Sequence, residues 1–494
     1  MSSSPSATDL VKSPMGEEVK PADLVEPVGE NDVGVVEDYI DTKAEKKLLR
    51  KLDLNLLVLF GCIYCMNSLD RSNIGNAALT SFEDDLGLTG NQYGIAVSIV
   101  YPTYIFFEPI WTVVFKVFSP KYTMAASIFG WAAISVGTGF VKNYDQLVAM
   151  RVLLGVFEAG VFPNFTMYVT MVYHRNEYAV RKSYNQIAAA LSGAFGGLLA
   201  YGLTQINSGL KGWQWLYLVE GLLSFLLVPA TLYLLPHTIT SARWLSKEER
   251  ELVAARQLRN VGAYDEQEKF SWGEVFRAAK DWKVWVQGVA HFGTNTSLFA
   301  VTTFMPRIIS GLGIASRINS QLLTVPVYFV AGLSFYIMAR QADRTKKPSL
   351  FVLIALAFLI VGYILLIAVE NVGGRFFGVF VLAVGLYSGA TMNVVWCATI
   401  HAGYFKRAIA TSMIQVIGNV AGAVIGFIFT TQSGPRYLQG MWFAFAISLV
   451  SVCCTLFLRF MLARENAKKK EAIAQGAPDQ PKLGDRNPHF LYYL

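Results

Sequence analysis

The chain has 494 residues, of which 53% are hydrophobic and only 16% charged, with a mean hydropathy of +0.40. Water-soluble domains of this size do not ordinarily show such values, so the chain is a membrane protein. Its net charge of +7 collects in the loops, where it speaks of topology and not of nucleic acid.

Residues 1–45 are rich in Ser, Pro and acidic side chains and lack apolar periodicity, which predicts a disordered cytoplasmic tail. No cleavable signal precedes the first apolar run, so that run also serves as the targeting signal. Runs of about 20 apolar residues then fall at 54–80, 92–117, 123–141, 145–173, 184–206 and 214–235. After a polar stretch, six more follow at 284–306, 321–340, 349–369, 376–402, 408–431 and 438–460. The expected fold is therefore all-α and integral to the membrane, with twelve spans in two six-helix halves, 46–235 and 283–462. A cytoplasmic linker, 236–282, joins them, and 463–494 forms a closing cytoplasmic tail. Within the linker, Ser246 and Glu249 have capping-box spacing, which predicts the start of a short amphipathic helix.

Lys and Arg crowd one side of this arrangement. Lys43, Lys46, Lys47, Arg50 and Lys51 precede the first segment, and the loops after segments 2, 4, 8 and 10 are also basic, whereas the 1–2 loop "SFEDDLGLTGNQ" has none. The positive-inside rule places both termini and the linker in the cytoplasm. Two sets of six spans joined by such a linker match the outline of an alternating-access transporter with its site near the midplane. The 8–9 loop, "ARQADRTKKP", sets Asp343 before Arg344, Lys346 and Lys347. An acid followed by bases in a tight turn suits contacts made in one conformation and released in another.

All five cysteines, Cys62, Cys65, Cys397, Cys453 and Cys454, lie in apolar runs, so neither a disulfide framework nor a metal site is expected. No nucleophile–base pair or cofactor motif suggests an enzyme. The sequons at Asn164 and Asn295 fall inside spans and are expected to be unglycosylated.

Charges inside the apolar runs are costly and ask for a reason. The first half carries Asp70 and Arg71 in segment 1, Glu108 in segment 2, Arg151 and Glu158 in segment 4 and Glu220 in segment 6. The second half has no charge away from its segment ends and offers Asn295, Asn393, Trp396, Gln415 and Asn419 for neutral and aromatic substrate contacts. Helical rise puts Arg71 roughly 16 Å and Arg151 roughly 12 Å inward from the outer ends of their segments. Glu158, seven residues beyond Arg151, shares its face about 10 Å deeper. Two guanidinium groups at similar depth make an anion site, while carboxyl groups out of water favour their protonated form. The pattern predicts proton-coupled symport of an organic anion, with Arg71 and Arg151 on the substrate and Asp70, Glu158, Glu108 and His291 as proton-handling candidates. The plainer readings are an interfacial Asp70–Arg71 pair, a bracing Arg151, and structural hydrogen bonding by Glu158, Glu108 and Glu220. For His291 and His401 the plainer reading is packing.

The stretches "LDRSNIGNA", "RVLLGVFEAGVFPNF", "SGAFGGLLAYG", "GWQWLYLVEG" and the ending "LGDRNPHFLYYL" resemble the fungal anion:cation symporter family of the major facilitator superfamily. That family includes allantoate, nicotinate, pantothenate and biotin permeases, and nicotinate permease-like members are nearest. The acid–Arg pair and the R-x6-E spacing also resemble a bacterial galactonate transporter. That likeness implies anion contacts at Arg71 and Arg151 and proton carriers at Asp70 and Glu158. Vesicular glutamate and sialic-acid transporters share the segment 4 pair; such relatives often add an arginine in segment 7, where this chain has "AHFGTNTS". Departures at Val172-Tyr173, Gln214 and Glu108 to Thr112 touch substrate choice. The resemblance implies a monomeric plasma-membrane carrier of a small organic monocarboxylate, partnered by protons and lipid, without cofactor. An exporter of an acidic metabolite and a non-transporting nutrient sensor are the alternatives.

Overall fold

Prolines and capping residues decide how the apolar segments become helices. The computed structural model describes residues 42–494 except 174, 207, 264–271, 315, 317, 318 and 403; most of the tail expected at 1–45, and part of the linker, lie outside the described residues. The chain divides after Lys51. The first helix, α1, is Thr42–Leu52. A π-helical turn, Asp53–Leu57, leads to α2 (Val58–Ala77), followed by α3 (Phe82–Asp85), α4 (Gln92–Ser98), α5 (Val100–Phe118), α6 (Pro120–Thr138), α7 (Tyr144–Glu158), α8 (Val161–Val172), α9 (Arg175–Leu203) and α10 (Gly212–Leu234). In the linker stand α11 (Lys247–Ala263) and α12 (Trp272–Ala279). Then come α13 (Trp282–Gly311), α14 (Asn319–Thr345), α15 (Pro348–Ala368), α16 (Val372–Ile400), α17 (Tyr404–Ile428) and α18 (Leu438–Ala474). No β-strand occurs among the described residues.

Every expected apolar stretch contains a helix, and nine helical stretches of the described residues are long and apolar enough to cross a membrane. Helix α13 falls short of that measure because Gln287, His291, Thr294, Asn295, Thr296 and Ser297 interrupt it, all of them buried. Two expected segments are broken, each four residues before a proline. Pro102 leaves the Ser98 carbonyl without a helical donor where α4 ends, and Pro163 does the same for Ala159 where α7 ends. Glu158 is thereby the last residue of its helix. Side-chain caps open α7, where the Gln146 amide donates to Asn143 Oδ1 (3.0 Å), and α13, where the Lys283 amide donates to Asp281 Oδ1 (3.1 Å). The capping box expected at Ser246 is formed: the Glu249 amide donates to Ser246 Oγ (3.2 Å) and the Ser246 amide to Glu249 Oε2 (2.8 Å). Helix α18 continues past its apolar part because "RENAKKKEA" keeps helix-forming residues after the hydropathy ends.

Large side chains such as Phe106, Leu226, Phe329 and Phe460 are exposed, an arrangement that suits lipid and would be a liability in water. Inside the unit, α2 packs on α9, α10 and α13; α7 on α5 and α6; and α13 on α16, α17 and α18. Contacts between α2–α10 and α13–α18 gather at the end where α2, α13 and α17 finish and α4 and α14 begin. There Gly94 and Gly426 meet so closely that a Cβ on either would sit 2.0 Å from the other's carbonyl oxygen, so neither position admits a side chain. Nearby, the Gln321 Nε2 donates to the Asn76 carbonyl (3.3 Å) and the Gly426 amide to Ser98 Oγ (3.0 Å). An ion pair joins Glu83 of α3 to Arg307 of α13, and the Arg307 guanidinium lies over the Tyr93 ring at 3.7 Å. Helix α3 is a fixed platform for that pair, because Phe82 is buried against Trp213 and Tyr217 while Asp85 accepts from Trp213 Nε1 (2.8 Å) and pairs with Lys211.

Candidate functional site

Helix α2 sorts its polar residues onto two faces. Asn67 and Arg71, one turn apart, share the first: Arg71 Nη2 donates to Asn67 Oδ1 (3.3 Å) and Nε to Glu158 Oε2 of α7 (3.0 Å). The Arg71 guanidinium also lies 5.1 Å from the centre of the Tyr104 ring on α5, within cation–π range. Arg71 keeps 25% of its side chain exposed while Glu158 has none. The second oxygen of Glu158, Oε1, is buried and has no hydrogen-bond partner among the described residues.

Asp70 points the other way, into α6 and α10. Ser135 Oγ donates to its Oδ1 (2.8 Å) and Ser224 Oγ to its Oδ2 (3.2 Å). One turn along, Asn73 Nδ2 donates to Glu220 Oε2 (2.5 Å), so α10 meets α2 through two buried carboxyl groups. Arg151 turns toward the same helix: its Nη2 donates to the Tyr217 hydroxyl (2.7 Å), and the residue is 2% exposed. The two arginines thus face different partners, and Arg71 is the more open of the two. Glu108 lies one turn beyond Tyr104 on α5; its Oε2 is buried without a partner among the described residues, and it does not join the Arg71 pair. Burial makes each of these groups expensive unless paired, so the cluster is held by hydrogen bonds contributed from four helices.

The neutral candidates divide in the same manner. His291 and Asn295 on α13 and Gln415 on α17 come together, with His291 Nε2 2.6 Å from Gln415 Oε1 and 3.3 Å from Asn295 Nδ2. Gly418 makes room for them: a Cβ there would lie 2.4 Å from His291 Cδ2. Asn419 stands half-buried a turn beyond Gln415. Asn393 serves as a cross-brace instead, because Gln287 Nε2 donates to its Oδ1 (3.1 Å) and its Nδ2 donates to the Gln287 carbonyl (3.4 Å). Trp396 is placed away from the other candidates. Its indole donates to the Tyr493 carbonyl (2.9 Å), and its ring packs with Ile400, Leu458, Leu462 and Tyr492. In the 8–9 loop, Arg344, Lys346 and Lys347 are exposed; the Asp343 side chain lies outside the described residues.

Tyr101 links the ionic and neutral groups. It sits one turn before Tyr104 on α5, and its ring lies 4.8 Å from that of Phe299 on α13. It also fills the space over Gly422 of α17, where a Cβ would be 2.3 Å from Tyr101 Cδ1. Phe299 is one turn past Asn295, and Gly422 three residues past Asn419. Tyr101, Tyr104, Tyr217, Ser135, Ser224 and Asn73 escaped sequence reasoning, although the i, i+3 tyrosines of α5 were a signal of one polar-tipped aromatic face. Arg307 and Glu83 escaped it because each stands at a segment end, where charge needs no explanation.

A family model described as the Major Facilitator Superfamily matches residues 60–426. The chain is 38% identical over 454 residues to the high-affinity nicotinic acid transporter of Saccharomyces cerevisiae, across 91% of this chain and 85% of that one. It is 31% identical over 470 residues to the major facilitator-type transporter hxnP of Emericella nidulans, across 92% and 94% of the two chains. Among solved structures, the proton:xylose symporter XylE bound to 6-bromo-6-deoxy-D-glucose superposes with a TM-score of 0.64 at 16% identity, covering 83% of this chain and 95% of its own. A bacterial homolog of the human lysosomal transporter Spinster, inward-facing and unoccupied, gives a TM-score of 0.63 at 14% identity, over 85% and 97%. At those identities the solved structures speak for the fold alone.

Proposed function

This chain belongs to the major facilitator superfamily, and from that premise we propose that it carries a small organic monocarboxylate such as nicotinate into the cell together with protons. Twelve spans form two halves, 46–235 and 283–462, that rock about the central site with both termini in the cytoplasm. The single observation that supports the reading best is the Arg71–Glu158 pair, in which a partly open guanidinium is held by a fully buried carboxylate with one oxygen unpartnered. An arriving carboxylate competes with Glu158 for the Arg71 fork. Once displaced, Glu158 has no cation to offset its burial, and a proton takes the place of Arg71. One anion and one proton enter together, so the net charge of the site is unchanged.

Asp70, held by Ser135 and Ser224, is the second proton-handling group, and Arg151 is a second cation held back by Tyr217. Across the site, His291, Asn295, Gln415 and Asn419 offer the rest of the substrate an imidazole and amides. The contacts at Gly94, Gly426, Gln321 and the Glu83–Arg307 pair hold the two sets of helices together at the outer end, and the carrier works in the plasma membrane. The relative's name, high-affinity nicotinic acid transporter, supports nicotinate as the first substrate to try. Uptake of a panel of labelled carboxylates into proteoliposomes under imposed pH and voltage gradients tests the reading. Nicotinate accumulation driven by an inward proton gradient is expected, and accumulation that ignores the gradient or needs an outward one overturns it.

A further inference from the structure

The ending "LGDRNPHFLYYL" is not absorbed by the site, yet Asp485, Asn487, His489 and Tyr492 are spent on a fold of its own. Gly484 takes φ 59°, the left-handed region that favours glycine. Asn487 closes a turn by donating to Asp479 Oδ1 (2.6 Å) and accepting from the amides of Gln480 (3.3 Å) and His489 (3.1 Å). Tyr492 is clamped to Asn466 of α18 in both directions, at 2.9 Å each way. Lys469 of α18 donates to the carbonyls of Asp485 (2.6 Å) and Phe490 (2.8 Å). Tyr493 receives the Trp396 indole of α16.

At the centre lies Asp485. Lys283 of α13 donates to its Oδ2 (2.6 Å) and Lys406 of α17 to its Oδ1 (2.8 Å). Asp281, the α13 cap, pairs with the same two lysines at 3.5 and 2.8 Å. Both lysines stand in the first turn of their helices, where the macrodipole disfavours positive charge. The two aspartates balance the two lysines, and without Asp485 one uncompensated cation would remain between two positive helix ends. Burial alone would raise the Asp485 carboxyl, but the Lys283 charge and the lysine hydrogen bonds hold it down to about 2.

Asp281 also joins α13 to Lys406 of α17 at this end, a link whose second charge Asp485 balances. The same two helices are joined again by His291 and Gln415 (2.6 Å), about 12 Å along α13 from Lys283. Two crosslinks at different depths fix both the spacing and the rotation of a helix pair, and one crosslink does not. We infer that the segment 475–494 is an intramolecular brace across α13, α16, α17 and α18, and that Asp485 is a positioning residue for the His291–Gln415–Asn295 group. Its effect on transport rests on the substrate site proposed above; its effect on the helices does not.

The test uses nitroxide-labelled cysteines at the exposed positions Val289 of α13 and Val420 of α17, with Cys62 and Cys453 replaced by serine. Deleting residues 480–494 is expected to broaden the spin–spin distance distribution. It is also expected to raise KM for labelled nicotinate about tenfold, with Vmax per molecule held within about twofold. Asp485→Asn follows at a smaller amplitude and carries the test where the deletion does not insert, while Asp485→Glu is expected to restore the wild-type KM. An unchanged distance distribution in the variants overturns the brace whether or not the protein transports. A broadened distribution with unchanged KM overturns the positioning role. Absence of nicotinate uptake by the wild type overturns the substrate reading instead, leaving the distances to decide the brace.

Discussion

Helices α2–α10 and α13–α18 spend charge in opposite places. In the first set, Asp70, Arg71, Arg151, Glu158 and Glu220 lie deep inside and are matched by hydroxyls, an amide and one another. In the second set the interior is neutral, and Lys283, Arg307 and Lys406 stand at helix ends beside Asp485, Asp281 and Glu83. An interior charge costs several kcal/mol unless compensated, so it is tolerated where changing its partner is the task. An end charge with a fixed partner holds helices in place. On the proposed reading, the difference gives one side of the site the electrostatics that change partner and the other side a neutral polar wall.

The sharpest way to break that contrast is Arg71→Lys. A point charge cannot reproduce the fork that meets a carboxylate, so nicotinate uptake is expected to fall about 100-fold or more, which corresponds to losing about 2.7 kcal/mol of binding. Glu158→Gln comes next. It frees Arg71 from its competitor, so nicotinate binding is expected to persist in equilibrium measurements while gradient-driven accumulation falls at least about tenfold. Where α3 meets α13, Arg307→Ala removes the ion pair that crosses between the sets, and the accessibility of Tyr93→Cys to an impermeant thiol reagent should rise severalfold. The exchange Glu83→Arg with Arg307→Glu should restore closure, and failure to do so would reduce the pair to a surface contact. Gln415→Leu, on the neutral side, is expected to raise KM about fivefold at most, because one buried amide contact contributes about 1 kcal/mol.

The smallest effect expected is that of pH on the brace. Asp485 is depressed in the folded state to about 2 by its lysines. Its stabilisation is thus complete above the ordinary carboxylate range and is lost only as pH falls through about 2. Distances between Val289 and Val420 labels should not change between about pH 5 and 7, where Asp485 stays charged and Lys469 keeps its proton, and a change there would locate a further titrating group in the second set.

Much of this contrast was legible in the sequence. Charges stood out in segments 1, 2, 4 and 6 because lipid tolerates so few, and the capping box at Ser246 and Glu249 needed only three residues of spacing. Partners were less legible. Arg71 and Asp70 are neighbours in sequence, but a 100° step per residue sends one to Glu158, 87 positions away, and the other to serines on α6 and α10. Trp396 reads as an aromatic substrate contact in a neutral half, and nothing local says that its indole donates to the Tyr493 carbonyl 97 positions away. The helix breaks at Ser98 and Ala159 follow from prolines four residues later, a signal masked by unbroken hydropathy. Arg307 stayed silent because a cation at a segment end looks like an anchor.

In the proposed cycle, substrate carboxylate and Glu158 exchange places on Arg71, with a proton moving as they do. Proton uptake on adding nicotinate to the purified transporter, read by titration calorimetry in buffers of different ionisation enthalpy, tests it most directly. Net proton uptake by the wild type is expected, abolished or strongly reduced in Glu158→Gln while binding persists. Binding without proton uptake in the wild type, or equal uptake in the variant, would contradict it.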